Sequence, residues 1–239
     1  MALAIFDLDN TLIAGDSDHL WGDYLIELGV VDGGDYKASN DQFYQDYLRG
    51  ELDIDAYLQF ALAPLSRYPL EQLYAWREGF IRDKIRPIML PAASELLDRH
   101  RAAGDTLLII TATNDFVTEP IADALGVANL IATRAERGDQ RYTGRVLGVP
   151  SYREGKVTRL QDWLAATGQD LVDSWFYSDS HNDLPLLRQV SHPVAVDPDD
   201  SLRVAAEEQG WPIISLRDAV SKDQQAGESQ PADATARTP

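Results

Sequence analysis

From Pro87 onward, segments with a helical pattern alternate with short apolar segments typical of strands. The helical pattern covers 92–103, 115–125 and 155–167, and the strand-like segments are 105–111, 129–133, 171–178 and 193–196. Such alternation is typical of βαβ units, in which helices cover both faces of a parallel sheet. Ala4–Phe6 has the composition of one more buried strand. We therefore predict a doubly wound α/β core, with a hairpin around 141–149.

Residues 16–86 interrupt this alternation, and we call them the helical segment. Aromatic residues and leucines recur here at three- and four-residue spacings, which is the pattern of amphipathic helices, and no stretch resembles a strand. Helices are predicted over 19–28, 41–49, 54–63 and 70–85. The core then consists of residues 1–15 and 87–220. Residues 221–239 contain almost no large apolar side chain and are predicted to form a disordered tail.

The composition limits the partners of this chain. Its 239 residues carry 39 acidic and 21 basic side chains, for a net charge of −18. Nucleic acids and anionic membranes are usually bound by basic surfaces, so we expect neither as a partner. Cysteine is absent, and no apolar stretch approaches the roughly 20 residues of a membrane span. We expect a soluble cytoplasmic protein, in which any phosphate site needs a metal or a local cation.

Two aspartates follow the first predicted strand. Asp7 and Asp9 come directly after the run Ala4–Phe6. Ligands of open α/β sheets bind outside the carboxyl ends of the strands, and residues i and i+2 of a strand point to the same side. The two carboxylates can therefore share one substrate. An alternative stays open, in which Asp7 begins a turn and Asp9, Asn10 and Thr11 cap a helix.

A second polar cluster follows the predicted strand that contains Leu107–Ile110. It consists of Thr111, Ala112, Thr113 and Asn114. A hydroxyl and the main-chain amides of a helix N-terminus can bind an oxyanion. Thr113 or Asn114 can instead cap the helix predicted to start near residue 115.

Two further clusters contain acids and a lysine. Asp179 and Asp183 are four residues apart, so on one helical turn they face the same way and can hold a hard cation. Capping by Asp179 is the alternative, and it leaves Asp183 unexplained. Lys156 lies at the start of a predicted helix, where the helix dipole disfavours a cation. Because surface lysines are common, Lys156 alone is weak evidence for a site.

In order and spacing, these four clusters resemble the four motifs of the haloacid dehalogenase superfamily of phosphohydrolases. The helical segment is similar to the small helical cap found in the phosphoserine phosphatase-like branch. Within that branch, residues 15–21, 111–116 and 153–156 look like those of a bacterial group that includes histidinol-phosphate phosphatases. The resemblance implies the doubly wound core already predicted from the alternating elements, with the cap inserted after its first strand.

The resemblance also implies a Mg²⁺-dependent phosphomonoesterase reaction. Asp7 would attack phosphorus and form an aspartyl-phosphate, while Asp9 would protonate the leaving alkoxide and later take a proton from water. Asp9 must then hold a proton near neutral pH, which the like charge of Asp7 favours. The metal ligands would be the carboxylates of Asp7 and Asp179 and the carbonyl of Asp9. Asp183 would orient a bound water or a neighbouring ligand.

The remaining motif residues would surround the phosphate. Lys156 would neutralise the nucleophile and a phosphate oxygen. Thr111 and the main-chain amides of Leu8, Asp9 and Ala112 would complete the phosphate cradle.

The substrate is less constrained than the reaction. Asp16 lies nine residues after Asp7, where phosphoserine phosphatases place the acid that binds the substrate amine. Asp18 lies close by, and we add Asn114 as a further substrate-binding candidate. Acids here suit a cationic head group, and L-histidinol phosphate offers an amine and an imidazole. Helix N-capping is an equally open role for Asp16.

Other functions stay open at this point. Phosphoserine or another small phosphorylated metabolite is the alternative substrate. A phosphotransferase that delivers the phosphoryl group to an alcohol would use the same residues, whereas a non-catalytic regulatory role is disfavoured because every catalytic position is occupied. The sequence does not predict an oligomeric state.

Overall fold

The computed structural model describes residues 2–217 of the chain. Its strands are β1 (Leu3–Phe6), β2 (Thr106–Asn114), β3 (Asn129–Thr133), β4 (Ala135–Arg137), β5 (Tyr142–Val146), β6 (Trp175–Ser178), β7 (His192–Val196) and β8 (Ile213–Ile214). Its α-helices are α1 (Ser17–Glu27), α2 (Asp35–Arg49), α3 (Ile54–Arg67), α4 (Leu70–Phe80), α5 (Pro91–Ala103), α6 (Asp115–Ala124), α7 (Glu154–Thr167), α8 (Leu184–Leu187) and α9 (Asp200–Gln209). The predicted disordered tail, 221–239, lies outside the described residues.

A parallel sheet of six strands forms the centre of the core, in the order β3-β2-β1-β6-β7-β8. β1 lies between β2 and β6, and all four of its residues are buried. Alternate side chains of β1 enter two hydrophobic clusters: Ala4 and Phe6 join one, while Leu3 and Ile5 join the other. Both faces of the sheet are therefore covered, which confirms the predicted doubly wound α/β fold.

The helical segment contains α1 to α4, and none of its described residues forms part of a strand. The predicted bounds of the second and third helices are wrong, and the third helix continues to Arg67 instead of ending at residue 63. The second helix begins at Asp35, because the Asp32 carboxylate accepts hydrogen bonds from the main-chain amides of Gly34 and Asp35 and orders its first turn. The fourth α-helix ends at Phe80 and continues as a π-helical turn, Ile81–Ile85. Pro87 lacks an amide proton and follows this turn, so it prevents a regular continuation.

The predicted hairpin around 141–149 is displaced. β4 pairs with β5 in an antiparallel arrangement, so the turn covers residues 138–141, and the Gly138 amide donates to the Arg141 carbonyl at 2.8 Å. Residues 147–153 instead connect β5 to α7. Packing selects this register, because Gly144 of β5 lies against Ser66 and the Leu62 carbonyl of α3.

The predicted strand 171–178 is shorter in the structure. β6 begins only at Trp175, because Leu171 to Ser174 form a turn in which the Ser174 amide and hydroxyl both donate to the Leu171 carbonyl. α8, α9 and β8 were not predicted. Among the helices of residues 2–217, none is long and apolar enough to cross a membrane.

Candidate active site

Asp7 and Lys156 form a buried ion pair at the carboxyl edge of the sheet. The Lys156 Nζ lies 2.7 Å from Asp7 Oδ1, and the exposed fractions of these residues are 3% and 4%. Burial raises the pKa of Asp7 to about 7, although the Lys156 charge opposes the rise. Desolvation disfavours the charge on Lys156, but the charges of Asp183 and Asp7 outweigh it and raise the lysine pKa. α7 thus directs a buried cation at the predicted nucleophile.

Asp183 contacts the same lysine. Its Oδ1 lies 2.8 Å from Lys156 Nζ, and its Oδ2 accepts a hydrogen bond of 2.7 Å from the Ser178 hydroxyl. Asp179 lies instead beside Thr11, whose hydroxyl donates to Asp179 Oδ1 at 2.9 Å. The prediction that the two acids share one α-helical turn is wrong, because a 3-10 turn spans residues 181–183 and is capped by Ser180. The alternative role of Asp179 as a helix cap is therefore wrong.

Asp9 is held by three donors. Its Oδ1 accepts a hydrogen bond of 2.7 Å from the Ser17 amide, and its Oδ2 accepts from the hydroxyls of Thr113 at 2.8 Å and Thr111 at 3.3 Å. Thr111 thus contacts Asp9, and Thr113, which was predicted only as a possible helix cap, makes the shorter contact. No α-helix begins at Thr11 among the described residues, so the capped-turn alternative for residues 9–11 is wrong.

Asn114 and Asp16 both cap helices. The Asn114 side chain accepts from the Val117 amide at the start of α6. Asp16 Oδ1 accepts from the amides of Asp18 at 3.0 Å and His19 at 2.8 Å at the start of α1. The capping roles are therefore present. Asn114 also donates to Asp18 Oδ1 at 3.2 Å, which links the starts of the two helices.

Among the described residues, neither Asp18 nor Asp16 forms an ion pair with a basic side chain. Burial raises the pKa of Asp18 to about 7, against the effect of a hydrogen bond from Tyr57. Burial, followed by the charge of Asp9, raises the pKa of Asp16. The side-chain partners of Asp18 are neutral, namely the Asn114 amide and the Tyr57 hydroxyl. A bound cation would stabilise the charged form of both acids.

One cavity connects these groups. It lies between the sheet edge and the helical segment, and its volume is about 550 Å³ when the space open to solvent is included. Its lining includes the polar residues Asp7, Asp9, Asp16, Asp18, His19, Asn40, Thr111 and Thr113, together with Ala112. Its aromatic lining comprises Phe43, Tyr44, Tyr47 and Tyr57, and sequence reasoning did not name these residues as site residues. Their three- and four-residue spacing was available as a signal, but it equally fits a helix face packed in a core.

The donor set fits a hard divalent cation. Asp7 and Asp183 contact the buried Lys156, and both lie close enough to Asp179 for their charges to act on its carboxylate. Burial, followed by the charge of Asp7, raises the pKa of Asp179 well above its usual range. Mg²⁺ prefers oxygen ligands such as carboxylates, so it would balance this excess negative charge.

A second group of potential metal ligands lies in the helical segment, at His19, Asp23 and Asp41. Lys37 already forms ion pairs with both acids: its Nζ lies 3.2 Å from Asp23 Oδ1, and it also pairs with Asp41. The arrangement is therefore an ion-pair network within the segment, and it does not supply the predicted site.

Comparison with known proteins identifies the family. The family model for haloacid dehalogenase-like hydrolases matches residues 4–188. The chain belongs to this family. A histidinol-phosphatase of Neisseria meningitidis serogroup C (strain 8013) is 50% identical to the hydrolase over 219 residues, which cover 90% of this chain and 99% of the relative. The hydrolase is accordingly a phosphatase, which confirms the predicted enzyme class.

Solved structures agree with the fold. A protein of unknown function from Bordetella pertussis Tohama I has a TM-score of 0.84 at 47% identity, covering 90% of the hydrolase and 98% of that chain. A phosphoserine phosphatase, solved as a phospho-aspartyl intermediate analogue, has a TM-score of 0.67 at 18% identity, covering 94% and 98%. At that identity, the second match supports the fold alone.

Proposed function

We propose that the hydrolase is a Mg²⁺-dependent phosphomonoesterase that acts through an aspartyl-phosphate on a small amino-alcohol phosphate, with L-histidinol phosphate as the favoured substrate. One observation carries the proposal: a single cavity is lined by Asp7, which pairs with the buried Lys156, and by two further acids, Asp16 and Asp18. The first pair suits a phosphate, and the second suits a cationic head group. The name of the Neisseria relative supports the same substrate.

Asp7 is the proposed nucleophile. Its oxygen forms a bond to phosphorus while the ester bond to the substrate alkoxide breaks, which leaves the phosphoryl group on the aspartate. Lys156 contacts Asp7 at 2.7 Å and neutralises the negative charge that two anions bring together. Water then attacks phosphorus, phosphate leaves, and the Asp7 carboxylate is restored.

Asp9 is the proposed acid and base. It gives a proton to the departing alkoxide and takes one from the attacking water. Its contact with the Thr113 hydroxyl at 2.8 Å is compatible with both states, because a hydroxyl donates to a carboxylate and accepts from a carboxylic acid. The Ser17 amide fixes the other oxygen, so Asp9 keeps its orientation through the cycle.

The proposed ligands for Mg²⁺ are the carboxylates of Asp7 and Asp179 and the main-chain carbonyl of Asp9. When bound, Mg²⁺ supplies charge screening, which lets an anionic carboxylate approach a phosphate dianion. Asp183 orients a neighbouring ligand and holds Lys156 in place through its contact of 2.8 Å.

The phosphate cradle and the head-group site complete the proposal. Thr111 and the main-chain amide of Ala112 line the cavity beside Asp9 and are proposed to contact the phosphate. Asp18 is proposed to bind a substrate cation, because its present partners are neutral. Asp16 combines this role with helix capping, while Asn114 acts by orienting Asp18.

A screen of phosphate monoesters tests the proposal. With Mg²⁺ present, we expect kcat/KM for L-histidinol phosphate to exceed that for L-phosphoserine and for sugar phosphates. A kcat/KM for sugar phosphates well above the values for both amine substrates would contradict the assignment of Asp16 and Asp18. Release of free phosphate that is unaffected by added alcohols separates a phosphatase from a phosphotransferase. Omitting Mg²⁺ and adding a chelator is expected to abolish turnover.

A further inference from the structure

Arg153 joins the core to the helical segment. Its Nη2 donates to the main-chain carbonyl of Gly50 at 2.5 Å, and its Nε donates to Asn182 Oδ1 at 2.9 Å. Gly50 follows the last residue of α2 with a left-handed φ of 70°. The last carbonyls of a helix lack intrahelical partners, and the helix dipole favours a cation at that end. The Arg153 guanidinium, which belongs to the core, therefore provides a hydrogen-bond donor and a positive charge at the C-terminal end of α2.

Asn182 makes a second connection to the same helix end. Its Nδ2 donates to the Tyr47 carbonyl at 3.2 Å, while its Oδ1 accepts from Arg153 and also from the Tyr152 hydroxyl at 3.1 Å. Tyr47 lies in the last turn of α2 and lines the cavity. Two core loops thus hold the part of α2 that carries the aromatic lining.

The fit around Gly50 is close. A Cβ at this position would lie 2.5 Å from His181 Nε2 and 2.8 Å from Arg153 Nη2. His181 has little freedom to move, because Asp199 accepts hydrogen bonds of 2.7 Å from its main-chain amide and 2.8 Å from its ring. A side chain at residue 50 would therefore force the His181 ring and the Arg153 guanidinium to shift.

Both contact residues are adjacent to reaction residues. Arg153 lies three residues before Lys156, at the start of α7, and Asn182 directly precedes Asp183. Lys156 and Asp183 are themselves in contact at 2.8 Å. The segments that hold this ion pair are thus the segments that hold α2. Arg153 also adopts φ 50° and ψ −121°, an unusual conformation for a residue other than glycine.

We propose that Arg153 is a positioning residue that fixes the end of α2, and with it Tyr47, over the cavity. Its guanidinium favours the arrangement in which the helical segment covers Asp7 and Lys156. The expected consequence of its loss is weaker substrate binding, because each binding event must then order the end of α2 without this contact. The proposal rests on phosphatase activity and not on the identity of the substrate.

Hydrogen exchange without any ligand tests the positioning directly. In Arg153→Ala, we expect peptides covering residues 43–52 to exchange faster than in the wild-type protein, with the sheet unchanged. Arg145→Ala is the control, because Arg145 pairs with Glu136 on the exposed hairpin. Wild-type exchange of residues 43–52 in Arg153→Ala would overturn the proposal. This measurement needs no substrate, so it is independent of the outcome of the monoester screen.

Kinetics separate positioning from a general structural role. With the best monoester of the screen, we expect Arg153→Ala to raise KM about tenfold while kcat changes less than about threefold, as for the loss of one charged hydrogen-bonding group that acts in binding. Arg153→Lys should be intermediate, because an ammonium keeps the charge but not the two-pronged geometry. An unchanged KM, or a fall in kcat alone, would overturn the proposal.

Two glycine variants provide the test if Arg153→Ala does not fold. Gly50 and Gly168 both follow helix ends with left-handed φ values of 70° and 72°, but no atom lies within 4 Å of a Cβ at Gly168. Gly50→Ala and Gly168→Ala therefore share the backbone strain, and only the first disturbs the Arg153 contact. We expect a raised KM in Gly50→Ala alone. Equal effects in the two variants would overturn the proposal.

Discussion

Buried carboxylates line one cavity of the hydrolase, and each has different partners. Asp7 contacts the ammonium of Lys156, so its negative charge is paired. Asp9 accepts three hydrogen bonds, of which Thr113 makes the shortest from a side chain. Asp18 has only neutral side-chain partners and a pKa raised by burial to about 7. These different partners support the proposed roles of the three acids in attack, proton transfer and cation binding, respectively.

Asp18→Asn is predicted to change how stability depends on pH. A pKa raised from 3.8 to about 7 means that the folded state holds this proton more tightly than the unfolded chain. The contribution of Asp18 to the free energy of unfolding therefore falls as pH rises from about 4 to about 8, by up to about 4 kcal/mol at about 1.4 kcal/mol per pKa unit. Thermal unfolding without metal, measured across this pH range, should show a smaller fall of stability in Asp18→Asn than in the wild-type protein.

Asp139→Asn is the matched control for this measurement, because Asp139 is exposed in the turn of the hairpin. Its unfolding temperatures should follow the wild-type dependence on pH. If Asp18→Asn also followed the wild-type dependence, Asp18 would not be the buried, uncompensated acid that the substrate proposal needs.

Among the elements, α7 has the most demanding position. It begins at Glu154, and Lys156 in its first turn is buried at the carboxyl edge of the sheet. This position places the first turn directly against the preceding loop. A Cβ at Gly155 would lie 2.0 Å from the Pro150 carbonyl oxygen, a distance that no relaxation of a side chain can relieve. Glycine at this position is therefore what lets the lysine reach Asp7.

Gly155→Ala is predicted to displace the start of α7. We expect the free energy of unfolding to fall by about 3 kcal/mol, as for a severe overpacking, and kcat to fall at least about tenfold because Lys156 moves from Asp7. Gly168→Ala at the other end of α7 should cost about 1 to 2 kcal/mol from backbone strain and leave kcat unchanged. Denaturant unfolding and steady-state kinetics measure both effects. A Gly155→Ala enzyme with wild-type kcat would refute the argument.

Elements with a strong periodic pattern were predictable from the sequence, and those selected by packing were not. The alternation after Pro87 correctly predicted β2, α6 and β3, because buried strands and amphipathic helices have different periods. α9 was missed because its buried residues, Leu202 and Ala206, form too narrow an apolar stripe. The hairpin register was wrong because glycines at several positions offer a turn, and contact with α3 selects among them.

At the site, too, the motif residues were predictable from the sequence, but their individual contacts were not. The sequence indicated Asp7 and Lys156 through their motifs, and the structure brings them together at 2.7 Å. It did not indicate that Thr113 approaches Asp9 more closely than Thr111 does. Both hydroxyls lie in β2 at positions i and i+2, within a stretch between Ile110 and Asn114 where the pairing of β2 is irregular.

Across the whole molecule, the site lies between two structural parts. The sheet edge supplies Asp7 and Thr111, and the helical segment supplies the aromatic lining and Asp18. With a net charge of −18, the protein repels a phosphorylated substrate at long range. In the proposed function, Lys156, a bound Mg²⁺ and the cationic head group of the substrate supply the attraction. Closure of the helical segment would then exclude bulk water from the aspartyl-phosphate.

The turnover number of Asp7→Asn tests the central claim most directly. Asparagine keeps the shape of the side chain and its contact with Lys156 but cannot form a phosphorylated carboxylate. With L-histidinol phosphate and Mg²⁺, we expect kcat to fall at least about a thousandfold, as for removal of a catalytic nucleophile, while the unfolding temperature shows a folded protein. A folded Asp7→Asn enzyme with kcat within about tenfold of the wild-type value would contradict the account.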